Sequence, residues 1–426
     1  MADARTVSSA LARLRKGFHP TFWVANGMEL FERLAYYGQA TVLSIFLRDH
    51  LHFTEIEAGQ LSSLFGGLIY LLPIVGGTLA DRFGFRRAFT TAFGMLAVGY
   101  LLIGSTGIGG MRELYGDFSL YWVLVPMLIF TAFGGSFIKP SVLGTVALTS
   151  KAETKALGYA IYYWTVNIGA AVGPLLAYLV RDSIGIEYVY LISAASCGLM
   201  LLVNLLLYRE VIDETQIDTE TLGTKFKNLV VVLSNLRFMV FLLIYALYWI
   251  IFWQIFVVIP FYITDYVSPE APFEIIMSVG AWAIILLQLP LERLTRSLTT
   301  RPAILLGFVV SSMSWLIIAA FPSIPMIIAG IVVFAVGEMI QAPRYYAYIS
   351  NIAPKGQQGL FQGYAYLPIA IAWGVGGTLG GWLYATYARA AGSPQTVFLV
   401  IFAIGLAAAL CMGLYNRVLA WKGDMT

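Results

Sequence analysis

Runs of apolar residues long enough to cross a lipid bilayer recur along this chain from end to end. A helix needs roughly 20 such residues to span hydrocarbon, and soluble core helices rarely sustain that length. Reading the runs against charged and turn-rich breaks places spans near 21–48, 56–80, 87–107, 119–146, 156–180 and 188–208, then near 238–265, 271–292, 302–320, 325–350, 359–385 and 395–417. Composition agrees: 59% of the 426 residues are hydrophobic and 12% charged, and mean hydropathy is +0.79. A soluble domain is nearer half apolar and a quarter charged, so a soluble α/β enzyme is excluded. The glycines and prolines are compatible with spans, because neighbouring helices in a membrane bundle restore packing and hydrogen bonds.

Loop charges set the orientation. With the N-terminus inside, 19 lysines and arginines fall in cytoplasmic segments and four outside: Arg48, Arg112, Arg181 and Arg389. Basic loops stay cytoplasmic, so both termini lie inside and the number of spans is even. The expected fold is an all-α membrane protein with 12 transmembrane helices in two six-helix bundles. Residues 1–20 are a cytoplasmic tail, 21–208 the N-terminal bundle, 209–237 a cytoplasmic linker, 238–417 the C-terminal bundle and 418–426 a second tail. The polar, basic start carries no cleavage signal and reads as a tail rather than a leader. Within the linker, a surface helix at 222–232 and a plain connection are both compatible with the sequence. Two bundles joined in this way suggest halves that rock about a central site. No basic run of nucleic-acid type occurs, and Cys197 and Cys411 sit in apolar segments, so neither a disulfide framework nor a metal cluster is expected.

Between the second and third spans runs Gly76-Gly77-Thr78-Leu79-Ala80-Asp81-Arg82-Phe83-Gly84-Phe85-Arg86-Arg87. Gly77 and Gly84 allow close helix approach and a tight turn, Asp81 can cap a helix or pair with a base, and the arginines mark the cytoplasmic face. Charge and glycine alone would justify a simple charged turn. The whole pattern resembles the signature loop of the major facilitator superfamily, which implies that fold and a gating role for Gly77, Asp81, Arg82, Gly84, Arg86 and Arg87. Leu291-Glu292-Arg293-Leu294-Thr295-Arg296 is a weaker counterpart in the second half.

Ionisable side chains inside spans are costly and normally face a partner or a water-filled cavity. Glu29, Glu32, Arg33 and Tyr36 fall on one helical stripe, with Tyr37 beside it. Two carboxylates beside one guanidinium leave an excess negative charge, and a carboxylate able to change protonation is what coupling to a proton gradient requires. A static salt bridge pinning the helix is the alternative. Lys139, in Gly134-Gly135-Ser136-Phe137-Ile138-Lys139-Pro140, lies too far from the Lys151 loop to snorkel easily, and the first-span glutamates are its natural counter-charges. Glu338 is the one acid of the tenth span. A carboxylate there, facing Arg33 or Lys139 across a cavity, suits a zwitterion.

The first-span pattern, the Gly-x-x-Lys-Pro ending at Pro140, and Tyr162-Tyr163-Trp164-Thr165-Val166-Asn167-Ile168-Gly169 together resemble the proton-coupled oligopeptide transporter family. Tyr70 and Pro73, Trp249 and Gln254, and Gly337-Glu338 with Pro343 extend the resemblance over most of the chain, more strongly before residue 175. It implies proton coupling through Glu29, Glu32, Arg33 and Lys139. Arg33, Tyr37, Tyr70, Lys139 and Asn167 would take the substrate carboxylate, Glu338 its amino group, and Trp249 and Gln254 would line the second-half wall. Departures are Trp253 in place of a glutamate before Gln254, Gly280-Ala281-Trp282 in place of an Asn-Pro pair, and a linker too short for two additional helices. The resemblance further implies proton-coupled symport of di- and tripeptides by a monomer in a bacterial inner membrane, among lipids, with no cofactor and no nucleic acid. Transport of another small organic ion or drug, in either direction, and a non-transporting receptor on the same fold are the alternatives. An intramembrane enzyme is not expected, since no serine-lysine, paired-aspartate or histidine-rich constellation occurs at span depth. The glycine run from Gly374 to Gly381 lies within an apolar stretch and reads as helix packing rather than a nucleotide loop.

Overall fold

The computed structural model describes residues 17–211, 230–354 and 358–418. Most of the first tail, most of the linker with its 222–229 segment, and the end of the chain lie outside the described residues. Helices occupy every one of the expected spans. They are α1 (Pro20–Ile45), α2 (Glu55–Leu71), α3 (Pro73–Phe83), α4 (Phe85–Ser105), α5 (Leu120–Gly135), α6 (Ile138–Thr149), α7 (Lys155–Ser183) and α8 (Glu187–Leu207) in the first half. The second half contributes α9 (Leu236–Tyr262), α10 (Phe273–Thr295), α11 (Thr300–Ala320), α12 (Ile324–Ile352), α13 (Leu367–Leu383) and α14 (Pro394–Val418).

Among the described residues, nine helical stretches are long and apolar enough to cross a membrane alone, and ten if α2 and α3 count as one span bent by 42°. The first and eleventh stretches fall outside that set. Helix α1 carries the buried charges, and α13 is one of several shorter helical pieces.

Local chemistry explains where the helices begin and bend. Pro20 opens α1, where a missing N–H leaves nothing unsatisfied. Thr54 and Glu57 form a reciprocal capping box at α2. Pro73 cannot continue the ladder of α2 and starts α3 instead. Between α3 and α4, Gly84 takes φ +87°, a region that penalises any side chain. The first N–H groups of α4, at Phe85 and Arg86, donate to the carboxylate of Glu210 over 2.8 and 2.7 Å. A carboxylate there meets both the unpaired donors and the positive helix end. Sequence reasoning offered Asp81 for capping; the cap on α4 is Glu210, brought back from the far end of α8.

In the first bundle α1 packs on α7 and α8, and α4 on α5 and α8; in the second α9 packs on α13 and α14, and α11 on α12 and α14. The bundles meet where α2 runs along α13, α7 along α10 and α1 against α9. Glycine makes the first of these seams possible. A Cβ at Gly59 would overlap the Gly377 carbonyl, one at Gly66 the Trp373 ring, and one at Gly381 the Glu55 carbonyl. The Gly374–Gly381 run is therefore a packing surface inside a helix.

Gly59→Ala should lower the thermal unfolding midpoint of the purified protein, because its methyl meets backbone that cannot move aside; overpacking of this kind costs ~1–3 kcal/mol. Gly94→Ala, with open space at its Cβ, is the control and should leave the midpoint unchanged.

Candidate functional site

Helix α1 carries the buried charges because α7 lets it approach closely. A Cβ at Gly169 would overlap Arg33, and one at Gly173 would press on the Leu34 carbonyl at 2.8 Å. Held there, Glu29, Glu32 and Arg33 are 0, 1 and 4% exposed. Arg33 Nε lies 3.3 Å from Glu29 Oε1, and the guanidinium also grips Glu32 Oε2. The Arg33 guanidinium carbon stands 4.8 Å from the centre of the Tyr36 ring. Both oxygens of Glu29 and Oε1 of Glu32 make no hydrogen bond to a described protein group. The triad thus holds one cation, two acids and spare acceptor capacity.

Lys139 begins α6, just past a break at Ser136 and Phe137. Its direct partners differ from the sequence expectation. The ammonium lies 4.6 Å from the Tyr70 ring centre and 5.0 Å from that of Tyr366. The two glutamates remain within its electrostatic reach but are engaged by Arg33. A desolvated ammonium over two electron-rich faces is a favourable alternative to an ion pair. Tyr70, Pro73, Lys139, Pro140 and Tyr366 line a cavity of about 180 Å³. Tyr366 belongs to the second half, so Lys139 touches both bundles.

A larger cavity of about 240 Å³ lies between α1 and α7 on one side and α9, α10 and α12 on the other. Tyr37, Tyr163, Asn167 and Glu338 bring polar groups to it, and Gly280 and Ala281 line the α10 wall. Asn167 donates to the Tyr163 carbonyl over 2.8 Å, which fixes its amide. Glu338 is the only charged residue among those lining this cavity. Arg33 and Lys139 are absent from its wall, so the expected pairing of opposite charges across one chamber is not what the geometry presents.

The α9 wall also differs from expectation. Phe252, Ile255 and Phe256 face the cavity. Gln254 is buried and donates to the Ile250 and Gly376 carbonyls over 2.9 and 3.0 Å, tying α9 to α13. Trp249 packs edge-on to Phe252, with ring centres 5.1 Å apart. Trp253 stacks on Trp373 at 3.6 Å, and Tyr70 flanks the pair at 6.0 and 5.9 Å. Tryptophan thus fills an aromatic layer where the resemblance implied an acid.

The loop expected to act as a gate makes several contacts with the first bundle. Gly77 lets α3 approach Pro140, where a Cβ would sit 3.3 Å away. Arg86 Nη2 donates to the Leu205 carbonyl over 2.7 Å, and Asn204 donates to the Arg86 carbonyl over 3.1 Å. Arg82 lies 5.7 Å from the Phe83 ring centre. Asp81 and Arg82 occupy the last turn of α3, and Arg87 the first turn of α4. In the second half, Arg344 binds Glu292 over 2.8 Å and the Thr295 carbonyl over 3.0 Å, joining α10 to α12.

Sequence reasoning missed a set of ion pairs between the bundles, on the face opposite Pro20 and Val418. Arg48 meets Asp265 at 2.9 Å and Thr264 Oγ1 at 2.9 Å. Arg389 bridges Glu55 at 2.9 Å and Asp265 at 3.0 Å, and the Tyr384 hydroxyl donates to Asp265 over 2.6 Å. Arg181 grips Glu274, with Nη2 3.1 Å from Oε2. A signal was present: these are three of the four basic residues that the charge bias leaves outside.

The family model described as Major Facilitator Superfamily matches residues 28–271 and 267–419. Dipeptide and tripeptide permease B of Salmonella typhimurium is 27% identical over 248 residues, covering 56% of this chain and 46% of that protein. Dipeptide and tripeptide permease A of Pectobacterium carotovorum is 25% identical over 217 residues, covering 50% and 41%. The chain therefore spans less than half the length of the permeases it matches. A crystal structure of a POT family transporter in complex with 5-aminolevulinic acid superposes with a TM-score of 0.77 at 17% identity, covering 96% of this chain and 97% of the other. A crystal structure of a point mutant of the nucleoside transporter NupG gives 0.78 at 14% identity, covering 93% and 99%. At these identities the structures speak for the fold alone.

Glu274 is fully buried, so removing its partner strands a charge; breaking such a pair costs ~3–5 kcal/mol. Arg181→Gln should widen the distance distribution between spin labels on the α7 and α10 ends, and adding Glu274→Gln should restore most of the original distribution.

Proposed function

The chain belongs to the Major Facilitator Superfamily, and from that premise we propose that it carries short peptides across a bacterial inner membrane by proton-coupled symport. The observation that carries the reading is the buried Glu29–Glu32–Arg33 triad with Lys139 beside it. With both acids ionised the triad is one charge negative, and Lys139 brings the set to neutrality. A proton on either acid neutralises the triad by itself and leaves Lys139 without a counter-charge. Because the Lys139 ammonium rests against Tyr366 of the opposite bundle, a change in its electrostatic setting acts on the contact between the bundles. Proton uptake and bundle movement are then one event. A static pin would need a single acid.

Substrate occupies the larger cavity, where Glu338 receives its amino group and Tyr37 and Asn167 offer further hydrogen bonds. With both termini cytoplasmic, the face held by Arg48, Arg181 and Arg389 is the extracytoplasmic one. Opening these pairs admits substrate and protons, and their closure commits the load to the cytoplasm. A monomer contains every part this cycle uses. The permease relatives support peptides as substrate, and the shared fold supports alternating access.

Uptake of a labelled dipeptide into proteoliposomes under an inward proton gradient tests the reading. We expect accumulation that a protonophore abolishes. Glu32→Gln should lose gradient-driven accumulation while retaining peptide exchange. Equal uptake with and without a gradient would sink the coupling, and failure across a broad peptide set would sink the substrate.

A further inference from the structure

We propose that protons have a second way to Glu32, along buried tyrosine hydroxyls in the core of the first bundle, which the substrate does not enter. The inference rests on the proton-coupling reading and gives the coupled proton a path of its own. Glu32 is buried and belongs to the wall of neither the larger cavity nor the one around Lys139. Its Oε1 is an acceptor that no described protein group fills. Deeper in the bundle it faces α4 and α8. Tyr100 on α4 shares its electrostatic field with Cys197, Glu32, Arg33 and Tyr190. Cys197 on α8 lies in the field of Glu32 and Arg33 as well. The rings of Tyr100 and Tyr190 are buried, and neither hydroxyl bonds to a described protein group. Buried hydroxyls are normally satisfied, and water takes the place that protein leaves open.

The line continues outward to the extracytoplasmic end of α8. Glu187, Tyr190 and Cys197 recur at intervals that keep them on one face of that helix. Gly104 lets α4 come close to that face, since a Cβ there would meet the Tyr190 Cβ at 2.9 Å. At the mouth, His50 Nε2 lies 3.5 Å from Glu187 Oε2, and the imidazole is 32% exposed. The Phe46 ring joins mouth and core, 5.5 Å from the His50 ring and 4.7 Å from that of Tyr190. The relay asks for no charge on the phenols. Bridged by water, each hydroxyl donates inward as it accepts from outside. Hydronium at the mouth becomes water, an O–H bond forms at Glu32 Oε1, and both tyrosines end neutral.

Tyr100→Phe and Tyr190→Phe test the route. Each keeps its ring and removes only a hydroxyl that bonds to no described protein group, so the melting midpoint should not fall. In proteoliposomes at an outside pH of about 7.5, each should slow gradient-driven dipeptide uptake about threefold or more. Peptide exchange without a gradient should keep its rate. Lowering the pH on both sides by about one unit, with the gradient held, should recover most of the loss, because proton arrival limits the variants. A packing defect would slow exchange too and would not respond to the added protons. Unaltered uptake in either variant, or a loss that lower pH leaves in place, overturns the route while proton coupling stands. If the unaltered protein shows no gradient-driven accumulation, the coupling reading falls and the route with it.

Discussion

A guanidinium held between two carboxylates inside the bilayer is the constraint on which the rest of this structure depends. Separately, none of Glu29, Glu32 and Arg33 could be buried there without a large desolvation penalty; together they share it. The sharing requires that α7 come close enough to shut out water, and Gly169 and Gly173 meet that need. Close approach of α7 then fixes Asn167 and Tyr163 on the cavity wall. Lys139 is placed near enough to feel the triad but is seated on aromatic rings, so the cluster keeps a second charge carrier that is not locked into it.

The two halves divide the chemistry unevenly. The first bundle holds the triad, Lys139 and the capped loop between α3 and α4. The second supplies Glu338, most of the apolar wall and the aromatic layer of Trp253 and Trp373. Tyr70 and Tyr366 stand where the two sets meet, one from each half, with the Lys139 ammonium between them. The triad itself does not face the larger cavity, and this layer lies between them.

Most of the helical layout was legible in the sequence, because apolar runs bounded by charged loops have sharp ends. The expected span at 302–320 is Thr300–Ala320, and that at 188–208 is Glu187–Leu207. The α1 stripe was legible for a related reason: its polar residues fall on one face of an otherwise apolar helix. Helix α9 had no such contrast. It is apolar on all sides, so nothing in its pattern fixed its rotation, and Trp249 and Gln254 were assigned to a wall that Phe252, Ile255 and Phe256 occupy. The pairs across the bundles were hidden differently. Arg48 and Asp265 lie 217 positions apart, and no local spacing links them. Glu210 falls within the expected linker, and only the folded chain shows it closing the start of α4.

The glycine seam between α2 and α13 has a mechanical consequence. Interlocked side chains resist rolling, because each must leave its socket before the surfaces can turn. Backbone resting on backbone, as at Gly59 and Gly377, has little to disengage, so what resists rolling along the seam is the Trp373 ring over Gly66 and the hydrogen bond from Thr378 to Ser63. Further resistance to turning is placed at the polar latches along the rim. Arg48 and Glu274 are 6 and 0% exposed, so the latches they form are largely sheltered from screening by salt.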